Sequence, residues 1–436
     1  MGVIKKLLTS SKAFFIVWCM VAAFGTYFCM YAFRKPFNAG TYEGLSLWGI
    51  NYKVVLIIAQ VFGYMISKFI GIKVISELKA ASRTQLIIGL ILFAEIALLF
   101  FGWVPHPYNF AFLFMNGLPL GMIWGIVFSY LEGRRFTEVL AIGLSVSLIV
   151  SSGMLKTIYF DVREWLPLVS EFWMPFVMGL LFLPLFLLFV WMLSVIPAPS
   201  QDDMALRAPR LPMTNTDKRN VFRQYGWGLV AFIILYTFLA TLRDFRDNFT
   251  VEIWNEVDPG WDKNVFTQTE AITSIIVLAV IGSLSAIKNN FKGFWAVNGI
   301  IGAGFLITAL ATLLFQRHII SPFWWMLLLG TGLFLAYMPM QIALFERLIA
   351  HFRIKANAGF FVYMCDSIGY LGSVVLMLYK EFFMKEMNWS LVLMKFTYLQ
   401  AVISLVLLGA ACVFFYRSAV RAKKRIVPAT AGIPNV

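Results

Sequence analysis

The chain has 436 residues, of which 60% are hydrophobic and only 13% charged, with a formal net charge of +14. A soluble domain is about a quarter charged, so with a mean hydropathy of +0.80 water is excluded as the solvent for most of this surface. The basic excess does not mark a nucleic-acid binder, because it alternates with apolar runs instead of forming one patch.

A spanning helix needs roughly 20 apolar residues. Runs of that kind fall near 13–38, 53–76, 84–104, 108–131, 138–160 and 172–196. They resume near 225–248, 267–287, 293–316, 320–346, 356–380 and 388–416. Barrel strands would alternate over about ten residues, which is not the pattern here. An all-α membrane protein with twelve transmembrane helices is predicted. The first run is too long for a signal peptide and is followed by Arg34-Lys35-Pro36 without a small-residue cleavage site, so it is expected to stay as a signal anchor. Cys19, Cys29, Cys365 and Cys412 all lie inside apolar runs and read as small hydrophobes, not as a disulfide or metal framework.

The polar, proline-containing stretch 197–224 separates six runs from six and reads as a linker. The expected organisation is a six-helix bundle over 1–196, a cytoplasmic linker over 197–224, a second bundle over 225–416 and a basic tail over 417–436. Lysines and arginines gather on the linker's side of the membrane, among them Lys5, Lys6, Lys73, Lys79, Arg83, Arg219, Lys288, Lys292, Arg347 and Arg421. The loop after the seventh run is acidic, with Glu252, Glu256, Asp258 and Asp262. The positive-inside rule then places both termini in the cytoplasm, and the tail is expected to rest on anionic membrane lipids.

The halves echo each other. Arg34 and Arg243 lie 243 − 34 = 209 apart, Glu132 and Glu346 lie 346 − 132 = 214 apart, and Gly143 and Gly359 lie 359 − 143 = 216 apart. Three offsets near 210 point to a duplication, and paired six-helix repeats are a transporter architecture.

Ionisable residues inside spans are functional candidates by default. Tyr27, Tyr31 and Arg34 recur at one helical face, and a guanidinium beside two phenols suits an oxyanion. Lys68 lies mid-span in "GYMISKFIG" with Tyr64 one turn earlier. Arg243, in "TLRDFRDNF", has Asp247 at i+4 and Asp244 adjacent; either a local ion pair or a gating or proton-carrying role fits. Lys156, after the serines 145, 147, 151 and 152, and Lys395 lie near span ends, where snorkelling is expected. Asp366, well inside a late span, reads as a proton site or as the partner of a basic residue. His106, His318 and His351 lack metal-ligand spacing, and no phosphate-cradling glycine loop is present. No catalytic residue, metal or cofactor is expected, so any energy comes from a gradient.

The motifs "YFCMYAFRKPF", "GYMISKFIG" and "KANAGFFVYMCDSIGYLGS" resemble the major facilitator superfamily, and within it the organophosphate:phosphate antiporters. The resemblance implies two pseudo-symmetric six-helix bundles in a cell inner membrane. It also implies that Arg34 and Arg243 hold a phosphoryl group, assisted by Lys68, Tyr27, Tyr31, Tyr64, Tyr337 and Tyr370. It departs at Ser151, where that branch has a histidine, and in the loop after the second helix, where Glu77, Lys79 and Arg83 stand for an Asp-Arg latch. "GSLSAIKNNFKG" is the eroded counterpart in the second half. The expectation is a monomeric carrier of a small anionic, phosphorylated solute, exchanged for inorganic phosphate. Two alternatives stay open: a proton-coupled symporter of a carboxylate using Asp366 or Asp244, and a transporter-like sensor of a sugar phosphate.

Overall fold

A computed structural model describes residues 2–76, 78–131, 137–198, 215–284, 286–352, 354, 356, 358–385 and 387–426. Among these residues, twelve helices are long and apolar enough to cross a bilayer. The first six are Lys12–Ala32, Tyr52–Gly71, Arg83–Trp103, Phe110–Leu131, Gly143–Trp165 and Met174–Ser194. The second six are Thr216–Asn248, Asn264–Leu284, Asn290–Gln316, Pro322–Phe352, Gly359–Phe383 and Trp389–Arg421. These are spans 1 to 12. Hydrocarbon offers no hydrogen-bond partner, so each segment satisfies its backbone within itself. The chain is a multi-pass integral membrane protein.

A short helix, Gly2–Ser10, precedes span 1, and the Ser11 hydroxyl caps span 1 by accepting from the Phe14 N–H. Between spans 1 and 2 lie a 3₁₀ turn, Pro36–Ala39, and a two-stranded hairpin pairing Ser46 with Asn51.

Two boundaries differ from the sequence reading. The helix carrying span 7 starts at Asn215, inside the stretch assigned to the linker, and the last helix runs on to Ile426, past the assigned start of the tail. Both extensions are polar, and composition does not separate a solvated helix end from a loop. Residues 199–214 lie outside the described residues. By contact the chain forms two compact units. One compact unit comprises Met1–Pro209, Phe245–Leu278 and Val374–Val392, and the other comprises Arg210–Asp244, Ala279–Ser373 and Leu393–Val436.

Small residues set the close helix approaches within each unit. In the first unit, a Cβ on Gly117 of span 4 would collide with the Gln60 carbonyl oxygen of span 2, and one on Gly63 with the Phe114 carbonyl. In the second unit, a Cβ on Gly369 would come to 2.8 Å from the Ala240 side chain, and one on Gly372 to 2.6 Å from Thr241 Oγ1. Span 11 thereby lies hard against the later part of span 7. Span 10 is interrupted by a π-helical turn, Met340–Leu344, directly after Pro339. Proline has no N–H to continue the ladder, and π turns recur at functional sites.

Candidate functional site

In the first unit, span 1 ends at Ala32, and Arg34 follows in a tight turn whose N–H bonds the Tyr31 carbonyl. The turn keeps Arg34 on the face of Tyr27 and Tyr31, whose rings meet edge-on at 5.5 Å. The Arg34 guanidinium carbon sits 3.8 Å from the centroid of the Tyr64 ring and 5.9 Å from that of Tyr31. Lys68 Nζ lies 5.6 Å from the same Tyr64 ring. All five side chains are buried. A phenol ring within reach of two cations attracts both, more strongly away from water. Gln60 and Asn116, not among the residues singled out above, fix this corner. Gln60 Nε2 donates to the Arg34 carbonyl at 2.9 Å and to Asn116 Oδ1 at 2.8 Å. Polar amides inside apolar runs were the signal that could have found them.

In the second unit, the π turn puts Gln341 at the centre of a partly buried network. Its amide nitrogen donates to the hydroxyls of Tyr236 and Tyr337, at 2.7 and 2.8 Å, and to Asp366 Oδ1 at 3.2 Å. Tyr236 also donates to Asp366, and its hydroxyl lies 3.0 Å from that of Tyr337. Asp366 is thus hydrogen-bonded by a phenol and an amide in the described structure. Tyr370, one turn along span 11, is buried. Arg243 stacks on Tyr337, 4.3 Å from the ring centroid, and forms its local ion pair with the adjacent Asp244. Ser373 donates to the other Asp244 oxygen at 2.9 Å.

Asp247 is engaged elsewhere. It pairs with Lys35 at 2.5 Å and Lys156 at 2.9 Å, and Ser152 donates to it as well. Lys156 therefore does not snorkel: it is 2% exposed, because a carboxylate lies closer than water. The same first unit holds Lys53 against Glu252 at 2.5 Å and Arg246 against Glu270 at 3.9 Å. Gly153 N–H donates to Glu270 at 2.5 Å. Each of these pairs joins a residue before the linker to one after it, except Arg246–Glu270. Burial pushes the Glu252 carboxyl above its usual range, with Lys53 pulling the other way.

Of the latch residues, Arg83 donates to the Ser129 carbonyl at 3.1 Å and lies over Tyr130. Lys79 is exposed, and Glu77 lies outside the described residues. Lys395 is exposed. Among the described residues, no group of three or more His, Cys, Asp or Glu side chains is placed to hold a metal.

A family model described as a family of unknown function (DUF5690) matches residues 36–418. No curated protein matches the chain in sequence. Solved structures do match in fold. The nucleoside transporter NupG is 16% identical, with a TM-score of 0.60 over 92% of this chain and 99% of that one. A bacterial homologue of the human lysosomal transporter Spinster, inward-facing and unoccupied, is 13% identical, with a TM-score of 0.58 over 94% and 98%. A D-xylose-proton symporter is 14% identical, with a TM-score of 0.57 over 92% and 97%. The fold is the twelve-helix fold of the major facilitator superfamily.

Proposed function

The chain belongs to the DUF5690 family of unknown function, and for it we propose a secondary carrier of a small anionic, phosphorylated solute that works by alternating access. The observation that carries the reading is the convergence of Arg34 and Lys68 on one buried phenol, Tyr64. Two cations held away from water attract a dianion far more strongly than they would in bulk solvent, and Tyr27 and Tyr31 add hydroxyls beside Arg34. Arg243 and Tyr337 supply the equivalent pair of groups in the second unit. That neighbours of this fold carry names of transporters for nucleosides and D-xylose supports carriage over catalysis. We place the protein in a cell inner membrane with both termini cytoplasmic, on the distribution of its basic residues.

The test is uptake of radiolabelled phosphate into proteoliposomes with and without internal phosphate. Uptake that needs internal phosphate supports exchange. Undiminished uptake by both Arg34→Lys and Lys68→Gln would overturn the anion site.

A second reading rests on Asp366. A carboxyl bonded by Tyr236 and Gln341 could exchange a proton during transport of a carboxylate. Uptake that a protonophore abolishes and Asp366→Asn makes indifferent to pH would favour it.

A further inference from the structure

Glu95 is a buried carboxyl inside an apolar span. It sits within span 3, roughly 18 Å along the helix axis from Arg83, and is 5% exposed. Neither carboxyl oxygen has a hydrogen-bond partner. The carboxyl instead fills the space over Gly179 of span 6, where a Cβ would collide with its Oε2.

The charged and titratable groups around it are few. Spans 4 and 6 and the 3₁₀ turn Ala80–Ser82 pack on span 3. Span 6 carries no titratable side chain from Met174 to Ser194, and the turn carries none. Span 4 contributes Tyr130, which hydrogen-bonds Thr84, roughly 16 Å from Glu95 along span 3. Span 3 itself contributes Arg83, bonded to Ser129 at its own start.

A lone carboxylate at this depth is far more costly than the carboxylic acid, so the packed state holds Glu95 with a proton. Packing alone does not account for the residue, because an unsatisfied carboxyl is a poorer filler than an aliphatic side chain. A second observation ties it to the candidate site. The carbonyl of the preceding residue, Ala94, accepts from Asn116 Nδ2 at 3.1 Å, and the same amide bonds the Phe33 carbonyl at 3.0 Å. Asn116 Oδ1 receives Gln60, which also holds the Arg34 carbonyl. One buried amide bridge thus joins the backbone at Glu95 to the backbone at Arg34.

We propose that Glu95 is a proton-binding site whose ionisation loosens span 3 from span 6 and, through the Asn116–Gln60 bridge, shifts the turn that carries Arg34. When the O–H bond breaks, the proton passes to water admitted beside Gly179. Reprotonation lets the two spans close again. The site names the coupling ion of the carrier and in that respect rests on the function proposed above; its chemistry is testable without any transported solute.

The full chain in phosphatidylcholine vesicles is treated with N,N′-dicyclohexylcarbodiimide, an apolar reagent that adds to a protonated carboxyl with no leaving group. Adducts are located by peptide mass spectrometry. Amide exchange of the 174–194 segment is followed in parallel and corrected for the intrinsic pH dependence of exchange. As pH is raised, labelling of Glu95 is expected to be lost and exchange in span 6 to rise with it. Glu95→Gln, and Glu95→Leu should Gln fold poorly, abolish both changes. Labelling of Glu95 that ignores pH, or the same exchange change in Glu95→Gln and Glu95→Leu, overturns the proposal. Failed phosphate uptake with these changes intact would count against the carrier function and not against this site.

Discussion

Arg243 turns both Nε and Nη2 onto a single oxygen of its neighbour Asp244, at 3.0 and 2.7 Å. The guanidinium that the anion reading needs is therefore already neutralised in this conformation. Under the proposed carrier function, an incoming anion would compete with Asp244 for the same donors.

Asp244→Asn removes the competitor while Ser373 still holds the side chain. Affinity for inorganic phosphate is expected to rise about tenfold, or about 1.4 kcal/mol. Equilibrium binding of radiolabelled phosphate to purified protein measures it. An unchanged Kd would show that Arg243 takes no part in anion binding.

Asp247→Asn strands Lys35 and Lys156 together in a buried position. Removing one partner from such a cluster costs about 3–5 kcal/mol, read as a fall in stability on thermal or denaturant unfolding in detergent. Lys35→Met should cost less, because Lys156 keeps the carboxylate company. Equal losses for the two variants would contradict a shared carboxylate.

Gly117→Val places a side chain where the Gln60 carbonyl now lies. Overpacking of this kind costs about 1–3 kcal/mol, and separating spans 2 and 4 draws Tyr64 away from Arg34. Phosphate binding should weaken along with stability. A variant of unchanged melting behaviour would mean that the two spans are not in contact at that depth.

Glu252 has a raised carboxyl because burial disfavours its charged form, partly offset by Lys53. The native state then holds this proton more firmly than the unfolded chain. The resulting stability is complete below the ordinary glutamate value of about 4.3 and is lost as pH rises through the higher native value. Comparing the pH dependence of unfolding for the native chain and Glu252→Gln isolates this contribution. It should be flatter in the variant on the acid side, and a parallel pair of curves would count against it.

Much of the fold was legible in the sequence because a bilayer imposes a local condition on each segment. Twenty apolar residues must close their own hydrogen bonds wherever their neighbours lie, so twelve runs suffice to predict twelve spans. Lys68 and Asp366 were legible for the same local reason, as ionisable residues where hydrocarbon should be.

What the tertiary structure decided is which groups meet. The sequence offered Arg243 both Asp244 and Asp247, and the fold chose between them: Lys35 and Lys156 claim Asp247 from far along the chain, and Arg243 pairs with Asp244. Lys156 was assigned to the interface on its position, yet it is buried because a carboxylate reaches it first. Gln60, Asn116 and Gln341 carried no charge to draw notice, and their importance comes from helix contacts set by glycines. Glu95, one acid in a long apolar run, takes its setting from Gly179 of span 6. An ion pair or an amide bridge depends on distance in space, which falls off within a few ångströms and leaves no periodic trace along the chain. Burial in a bilayer is written into each helix; partnership in this one is written only into how the helices pack.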